Sequence, residues 1–327
     1  MGGAKLREDD WQALVAAAIL APSSHNTQPW LFRPTRAGLD LLADERRALP
    51  VNDPDDRELT MSCGCALMNL RVAAAARGLT VDCSLLPDPT EPALLARLSL
   101  AAEHRPAPAD ADLAPAIATR RTCRRRFADR PVPAEVVARV VASARVEGTS
   151  LHPVTGEARR REIARLVGEG DAVQWADPSW RRELAAWMHP GRDGDGLALP
   201  TLATPLAQAV VRTFDMGGGV AARDRDLTVD SPLLAVLGTA GDTRRDWLLA
   251  GQALERVLLT ARRLGLQASF LNQPVEVAAL RPRLARAVPC EHPQILLRAG
   301  YPTGDIPPSP RRALDAVVLA ARTRDEP

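Results

Sequence analysis

The sequence predicts an α+β fold in which two tandem halves pack as an intramolecular pseudo-dimer and the second half carries a lid-like insertion. Three features favour this fold. A long apolar helical segment occurs once in each half and ends at a glycine, short strand-like runs surround it, and residues 170–231 are too long and irregular for a simple connection. We expect residues 1–115 to form the first half and residues 116–327 the second.

Composition narrows the class of protein. Hydrophobic residues make up 46% of the 327 residues, which is enough for a substantial core. The 42 basic and 40 acidic residues give a net charge of +2, which argues against a general nucleic-acid binder. The five cysteines are odd in number and sparsely spaced, as is typical of buried thiols in a reducing cytoplasm. Without a secretory leader or a run of about 18 apolar residues, we expect a cytoplasmic protein with no membrane span.

The first half is predicted to contain helices and short strands in alternation. Asp9 or Asp10 can cap a first helix, Gly38 marks a turn between two strands, and Gly78 ends the long apolar helix. The proline-rich residues 103–115 are predicted to link the halves. The predicted helices cover residues 11–20 and 59–77, and the predicted strands cover residues 30–32, 39–42, 79–85 and 94–101, of which the last also fits a short helix.

The second half has the same kinds of element around its insertion. Gly265 ends its long helix, and the run Gly217-Gly218-Gly219 within the insertion is interpreted as a flexible hinge. The predicted helices cover residues 134–144, 157–168, 245–264 and 313–322, and the predicted strands cover residues 233–238, 269–271 and 295–297.

The two long helices repeat one another in sequence. Gly64-x-Ala66-Leu67 matches Gly251-x-Ala253-Leu254, and Gly78-Leu79 matches Gly265-Leu266, each at an offset of 187 residues. Chance similarity between two Ala/Leu-rich helices is the alternative, but the repeated terminal Gly-Leu favours duplication. If the halves pack about a pseudo-two-fold axis, one composite site forms at their interface.

A polar loop, residues 21–30 (A-P-S-S-H-N-T-Q-P-W), follows the first helix. Pro22 stops that helix and Pro29 forces Gln28 into an extended conformation, so the segment between them is short and stiff. Its hydroxyl, amide and imidazole groups can read the edge of a flat, polar heterocycle. The alternative is an ordinary connection with Asx and Ser turns, in which His25 is only a loop hydrogen-bonder.

Five arginines lie within the seven residues Arg120 to Arg126. A solvated basic turn, a nucleic-acid contact and a site for a phosphate-bearing ligand all fit such a cluster. The charge balance of the whole chain disfavours nucleic acid. The planar guanidinium fork suits bidentate phosphate contact, and the Thr122 hydroxyl adds a neutral donor.

These features together resemble the nitroreductase superfamily, whose flavin-contacting loop has the form P-S-S-x-N-x-Q-P-W. The chain is most similar to the Acg-type branch, in which one chain holds two nitroreductase-like halves. Later motifs that also carry the resemblance are Gln273-Pro274, Gln294 to Tyr301 and Pro308-Ser309-Pro310-Arg311-Arg312. The resemblance implies helices around mixed β-sheets, a lid over the flavin, and non-covalently bound flavin mononucleotide (FMN).

The resemblance also implies the residues that contact FMN. The segment Gln267 to Phe270, which includes Ser269, matches the region whose backbone faces flavin N5, and Cys123 stands where the Acg-like pattern often has Asn. The isoalloxazine and ribityl groups would contact Ser23, Ser24, Asn26 and Gln28. The ribityl chain and phosphate would contact Arg121, Thr122, Arg125, Arg311 and Arg312.

Three functions follow as hypotheses. The first is an FMN-dependent oxidoreductase that moves hydride from NAD(P)H through flavin N5 to a nitro-aromatic, quinone or related electron-poor acceptor, with no catalytic nucleophile or metal of its own. The second is a protein that stores FMN beneath the lid with little NAD(P)H turnover. The third is an interaction protein that uses the basic patch and binds no chromophore. The expected partners are FMN, NAD(P)H and a small acceptor, without nucleic acid or membrane, and the expected state is a monomer.

Overall fold

The structure, a computed structural model, describes residues 8–101, 108–190, 194–199 and 203–321. The α-helices are α1 (Glu8–Ala18), α2 (Arg57–Ala76), α3 (Pro108–Ala111), α4 (Ala114–Ile117), α5 (Ala134–Arg145), α6 (Glu157–Ala176), α7 (Pro178–Ala186), α8 (Thr204–Thr213), α9 (Gly217–Val229), α10 (Arg244–Arg263), α11 (Gln273–Glu276) and α12 (Arg281–Ala287). The strands are β1 (Trp30–Pro34), β2 (Gly38–Ala43), β3 (Thr80–Leu85), β4 (Leu94–Ala101), β5 (Ser150–Pro153), β6 (Met188–Pro190), β7 (Leu197–Leu199), β8 (Leu233–Thr239), β9 (Gln267–Phe270) and β10 (His292–Gly300). Short 3-10 helices cover Ser24–Asn26, Glu45–Arg47 and Leu314–Ala316.

Two four-stranded antiparallel sheets have the same topology. Their strand orders are β1-β2-β4-β3 and β5-β8-β10-β9, and the long helices α2 and α10 occupy the same place in the two series. Parallel bridges from Phe32 to Val318 and from Thr122 to Ala268 add the parallel component of the mixed sheets that the resemblance implied. The insertion, α6 to α9, lies between β5 and β8. The predicted α+β fold with two tandem halves and a lid insertion is therefore confirmed.

The repeated glycines meet where α2 crosses α10. A Cβ atom at Gly64 would lie 2.5 Å from the Leu248 carbonyl oxygen, and one at Gly251 would lie 2.1 Å from that of Met61 and 2.9 Å from Gly64 Cα. Only glycine permits this approach of two helix backbones. The main hydrophobic core extends from these helices to the inner faces of both sheets.

Helix α2 is buried along most of its length. Among the described residues it is the one helix that is long and apolar enough to cross a membrane, but 83% of its apolar window is covered by the rest of the protein. Gly78 lies just after this helix and Gly265 lies just after α10. Their φ angles are +71° and +84°, as expected for glycines that end helices.

Several local predictions were wrong. The insertion is mostly helical rather than irregular, and Gly217-Gly218-Gly219 begins α9 instead of forming a hinge. The closing segment, expected as a helix over 313–322, forms only the 3-10 turn Leu314–Ala316, with Arg322 outside the described residues. Residues 94–101, by contrast, form a strand, which is one of the two structures expected there. Part of the predicted linker lies outside the described residues, and the rest forms α3 and α4. The predicted boundary at residues 115 and 116 falls inside α4 and stays a prediction.

Candidate functional site

The polar loop between α1 and β1 has an unusual backbone conformation. His25, Asn26 and Gln28 have φ angles of 48°, 56° and 52°, so the extended conformation predicted for Gln28 was wrong. Non-glycine residues rarely adopt this left-handed region, at a cost of about 1–3 kcal/mol each, so their surroundings must hold them there. The Ser23 hydroxyl accepts a hydrogen bond from the Gln28 amide at 3.0 Å, and Gln28 is completely buried. The loop therefore presents one fixed set of polar groups.

A cavity of about 500 Å³ lies where this loop meets segments of the second half. Its volume falls in the range of roughly 300–1,000 Å³ that is usual for small-molecule sites. The sequence-predicted residues that line it are Ser23, Ser24, Asn26, Arg121, Thr122, Ser269 and Arg311. The first three come from the loop in the first half, and the other four lie far along the chain. The structure thus joins them in one composite cavity.

Three other sequence-predicted residues, Gln28, Arg125 and Arg312, do not line this cavity. The Gln28 side chain donates to the Gly194 carbonyl at 3.0 Å and accepts from the Arg312 amide at 2.9 Å. The Arg312 guanidinium in turn donates to the Gln28 carbonyl at 3.0 Å. These two residues hold the loop from outside the cavity. The Arg125 guanidinium donates to the Asp305 carbonyl and lines a second cavity.

His25 also lines the main cavity. Its Nδ1 atom has no hydrogen-bond partner among the described residues. Burial, and then the positive charge of Arg124, lower the pKa of His25 to about 4. The imidazole is therefore neutral at pH 7 and can donate or accept one hydrogen bond.

Part of the cavity wall is strongly basic and is formed by Arg120, Arg121, Arg124, Arg298 and Arg311. Burial, and then the charge of Arg120, lower the pKa of Arg311 to about 9, so Arg311 stays charged at neutral pH. Arg311 donates to Asn26 Oδ1 at 3.2 Å, but its Nε has no partner in the described parts of the chain. Arg120 is ion-paired with buried Glu255 at 3.4 Å. A wall with more guanidinium groups than carboxylates suits a phosphate.

Another part of the wall holds two buried carboxyl groups in contact. Glu58 and Glu276 interact with each other electrostatically, and the Ser24 hydroxyl donates to Glu58 Oε2 at 2.5 Å. Gln174 of the lid donates to Glu276 Oε2 at 2.5 Å. Burial, and then the charge of Glu276, raise the pKa of Glu58 to about 8. Because the pKa of Glu58 lies above neutral pH, the pair holds a proton at pH 7.

A second carboxyl pair lies farther along the same wall. Gln273 Nε2 donates to Asp171 Oδ1 and to Asp224 Oδ2, each at 3.0 Å. Burial, and then the charge of Asp224, raise the pKa of Asp171 to about 7. No group of three or more His, Cys, Asp or Glu side chains within the described ranges could hold a metal ion.

Sequence reasoning missed both carboxyl pairs. Glu58 had one usable signal, because it lies in the first turn of a helix that is otherwise apolar on several faces. Asp171 and Asp224 had none, since acidic residues are common in surface helices. Their proximity depends on the packing of α6 against α9, which the sequence pattern did not reveal.

The insertion closes over the cavity and contacts the polar loop. Asn26 donates through Nδ2 to the Gly196 carbonyl and accepts from the Gly196 amide, both at 3.2 Å. Arg47 forms an ion pair with Asp195. Ten cavity-lining residues come from the insertion: Asp171, Gln174, Trp175, Trp180, Leu184, Leu197, Val220, Arg223, Asp224 and Leu227. The lid therefore adds a largely apolar surface, including two tryptophans whose ring centroids are 5.4 Å apart.

The Glu58 pair predicts how stability changes with pH. The pKa of Glu58 is about 8 in the folded protein and near 4.3 in the unfolded protein. Between these two pH values the folded state binds more protons than the unfolded state. The free energy of unfolding therefore falls as the pH rises through this window. We expect Glu58→Gln to make this fall shallower and to stabilise the protein at pH 9 relative to wild type by several kcal/mol, since one pKa unit corresponds to about 1.4 kcal/mol. Urea unfolding at pH 6 and pH 9 measures both effects.

The matched control is Glu135→Gln, which removes an exposed carboxylate on α5. It should leave the pH dependence of wild type unchanged. A Glu58→Gln variant with the same slope as wild type would contradict the assignment of a proton to this pair.

Comparison with known proteins identifies the family of the chain. No family model matches the chain. The chain is 34% identical over 316 residues to "Putative NAD(P)H nitroreductase Rv3131" of Mycobacterium tuberculosis (strain ATCC 25618 / H37Rv), which covers 94% of this chain and 90% of that protein. It is 30% identical over 314 residues to "Putative NAD(P)H nitroreductase acg" of the same strain, with 94% of each chain covered.

Solved structures include a more distant likeness. The FMN and NADPH-dependent nitroreductase NfnB from sphigopyxis sp. strain HMH is 20% identical, with 63% of this chain and 97% of that chain covered and a TM-score of 0.41. A likeness of that size supports no conclusion about function. The sequence relatives are much stronger evidence of family, because the identity with them extends along nearly the whole of both chains. On that basis the chain belongs to the nitroreductase superfamily, together with Acg, and is an oxidoreductase of the NAD(P)H nitroreductase type.

Proposed function

We propose that this oxidoreductase binds FMN in the main cavity and uses NAD(P)H to reduce a nitro-aromatic, quinone or related electron-poor acceptor. The observation that carries the proposal is the meeting of the polar loop with the basic wall in one cavity. When bound, FMN supplies reversible hydride acceptance and donation at N5. The five cysteines are free, which supports work in a reducing cytoplasm.

The residues present suit this group. Arg121 and Arg311 would bind the phosphate, and the unpartnered Nε of Arg311 is a donor still to be used. Ser24 and Asn26 would bind polar edges of the ring system, while Ser269 belongs to the segment that would face N5. Gln28 and Arg312 would keep the loop in its binding shape through their mutual hydrogen bonds.

A second candidate function is storage of FMN beneath the lid with little NAD(P)H turnover. The contacts between Asn26 and Gly196 and between Arg47 and Asp195 favour it, because the first holds the lid against the polar loop and the second holds it against the 3-10 helix Glu45–Arg47. A nicotinamide needs stacking space above the flavin, so the lid must open before turnover. The two candidates share the cofactor and differ in this step.

An absorbance spectrum of the purified protein, with FMN added if needed, separates these functions. We expect flavin bands that bleach on anaerobic addition of NADPH or NADH. Bands that bleach only with dithionite would support storage and contradict turnover. Absence of flavin bands after FMN addition and gel filtration would contradict both, and would leave the basic-patch interaction protein.

A further inference from the structure

The arginine cluster is divided between two cavities. Arg121 lines the main cavity, whereas Arg125 and Arg126 line a second one. The complete lining of the second cavity is Arg124, Arg125, Arg126, Arg223, Asp226, Leu227 and Thr303. One carboxylate thus stands among four guanidinium groups. The division indicates two anion sites rather than one.

The two cavities adjoin one another. Arg124, Arg223 and Leu227 line both of them. Two of these residues belong to α9 of the lid, so the second cavity lies at the junction of the lid and the arginine segment. An extended ligand could therefore reach from the main cavity into the second along this shared wall.

The guanidinium groups of the second cavity are mostly unneutralised. Arg126 is ion-paired with Asp230 and, at 3.8 Å, with Asp226. Arg223 donates to the Arg124 carbonyl at 3.1 Å, which leaves its charge uncompensated. Within the described segments, Arg124, Arg125 and Arg223 form no ion pair. Three converging positive charges without a carboxylate partner attract a multiply charged anion.

The backbone beneath these arginines is firmly held. Arg298, which is 1% exposed, donates to the carbonyls of Cys123 at 3.0 Å and Arg125 at 3.1 Å. Its guanidinium lies 4.8 Å from the centroid of the Phe127 ring. The Cys123 amide donates to the Ala268 carbonyl of β9 at 2.8 Å. The like charges are thus kept together by the sheet, and this preorganisation reduces the cost of ordering them around a ligand.

We propose that the second cavity binds the 2′-phosphate of NADPH and so makes NADPH, rather than NADH, the hydride donor. The proposal rests on the function proposed above. A phosphomonoester carries up to two negative charges and three acceptor oxygens, which matches several convergent guanidinium groups. NADH lacks this group. The FMN phosphate has its own candidates, Arg121 and Arg311, in the main cavity.

Binding of nucleotide fragments tests the site without requiring turnover. Adenosine 2′,5′-bisphosphate and adenosine 5′-monophosphate are titrated by calorimetry into the protein as purified and after FMN loading. We expect at least about tenfold tighter binding of the bisphosphate, which corresponds to about 1.4 kcal/mol. Equal affinity for the two fragments would overturn the proposal, whether or not the protein holds flavin.

Two variants locate the effect. Arg125→Gln should remove most of the preference for the bisphosphate while FMN affinity changes less than about threefold, because Arg125 does not line the main cavity. Arg223→Gln, at the wall that the two cavities share, should also remove most of the preference for the bisphosphate. Arg139→Gln, at an exposed residue of α5 outside both cavities, makes the same chemical change and should retain the preference. Loss of FMN affinity in parallel with bisphosphate affinity in Arg125→Gln would overturn the division into two anion sites.

Flavin reduction gives an independent readout. In wild type, the second-order rate constant for flavin reduction should be at least about tenfold higher with NADPH than with NADH. The Arg variants should lower this rate constant for NADPH alone. An equal decrease for both donors would assign the arginines to the pyrophosphate that both donors carry, and would overturn the 2′-phosphate assignment. If neither donor reduces the flavin, the proposed turnover fails, and the fragment titration still decides the phosphate site.

Discussion

Replacing Gly251 by alanine is expected to lower the free energy of unfolding by about 3 kcal/mol, at the upper end of the usual range for overpacking. The added Cβ would stand 2.1 Å from the Met61 carbonyl oxygen and 2.9 Å from Gly64 Cα. Both are backbone atoms of α2, so no side-chain rotation can relieve the contact. The gain in helix propensity from glycine to alanine is only about 1 kcal/mol and would not offset it. Urea unfolding of the full chain measures the change.

Two comparisons make this prediction specific. Gly64→Ala should destabilise to a similar degree, because its Cβ would lie 2.5 Å from the Leu248 carbonyl oxygen. Gly218→Ala in α9 should leave stability unchanged or slightly higher, since no atom lies within 4 Å of its added Cβ. A Gly251→Ala protein as stable as wild type would contradict the close crossing of α2 and α10.

This crossing also explains why so much of the fold could be predicted. Gly64 and Gly251 stand at equivalent positions of an internal repeat, and the structure places them against each other. A glycine that permits close backbone approach leaves a trace in sequence, as does a glycine with positive φ after a helix. Both kinds of signal are local, so the chain could be divided into two similar halves without knowledge of tertiary contacts.

The insertion was less predictable, because its structure depends on tertiary contacts that leave no local signal in the sequence. Its glycines and prolines indicated irregular structure, yet α9 starts at Gly217 and packs against α6. Most of the stability of a short helix comes from such tertiary packing rather than from propensity. The sequence of residues 217–229 does not indicate which helix they pack against, so a prediction based on composition favoured a loop.

The candidate site also has parts that could be predicted from local sequence and parts that could not. The polar loop and the arginine segment are contiguous in sequence and could be recognised as motifs. The directions of the side chains could not be predicted: Gln28 and Arg312 do not line the main cavity and are hydrogen-bonded to each other, so their contact with a ligand stays a prediction. The surroundings of Glu58 were harder still to predict, because they come from distant parts of the chain: Asn272 Nδ2 lies 3.5 Å from Glu58 Oε1, and the two residues are 214 positions apart. Contacts of that separation belong to the folded topology, not to a motif.

The second large expected effect concerns cofactor affinity. Arg121→Gln should weaken FMN binding by about 10- to 100-fold, because hydrogen bonds to a charged group contribute roughly 1.5–3 kcal/mol and about 1.4 kcal/mol corresponds to a factor of ten. Arg121 has no carboxylate partner in the described ranges, and its backbone amide keeps its bond to Gln267 Oε1 at 2.9 Å. The variant should therefore fold normally. Titration of apoprotein with FMN, followed by flavin fluorescence, gives the dissociation constant.

Riboflavin distinguishes loss of a phosphate contact from damage to the whole cavity. It has the same ring and ribityl chain but no phosphate, so its affinity should be nearly the same in wild type and in Arg121→Gln. Arg159→Gln, an exposed arginine on α6, should keep wild-type affinity for both ligands. Equal loss of FMN and riboflavin affinity in Arg121→Gln would contradict a phosphate role, whereas loss confined to FMN would place the phosphate at the basic wall, since only the phosphate differs between the two ligands.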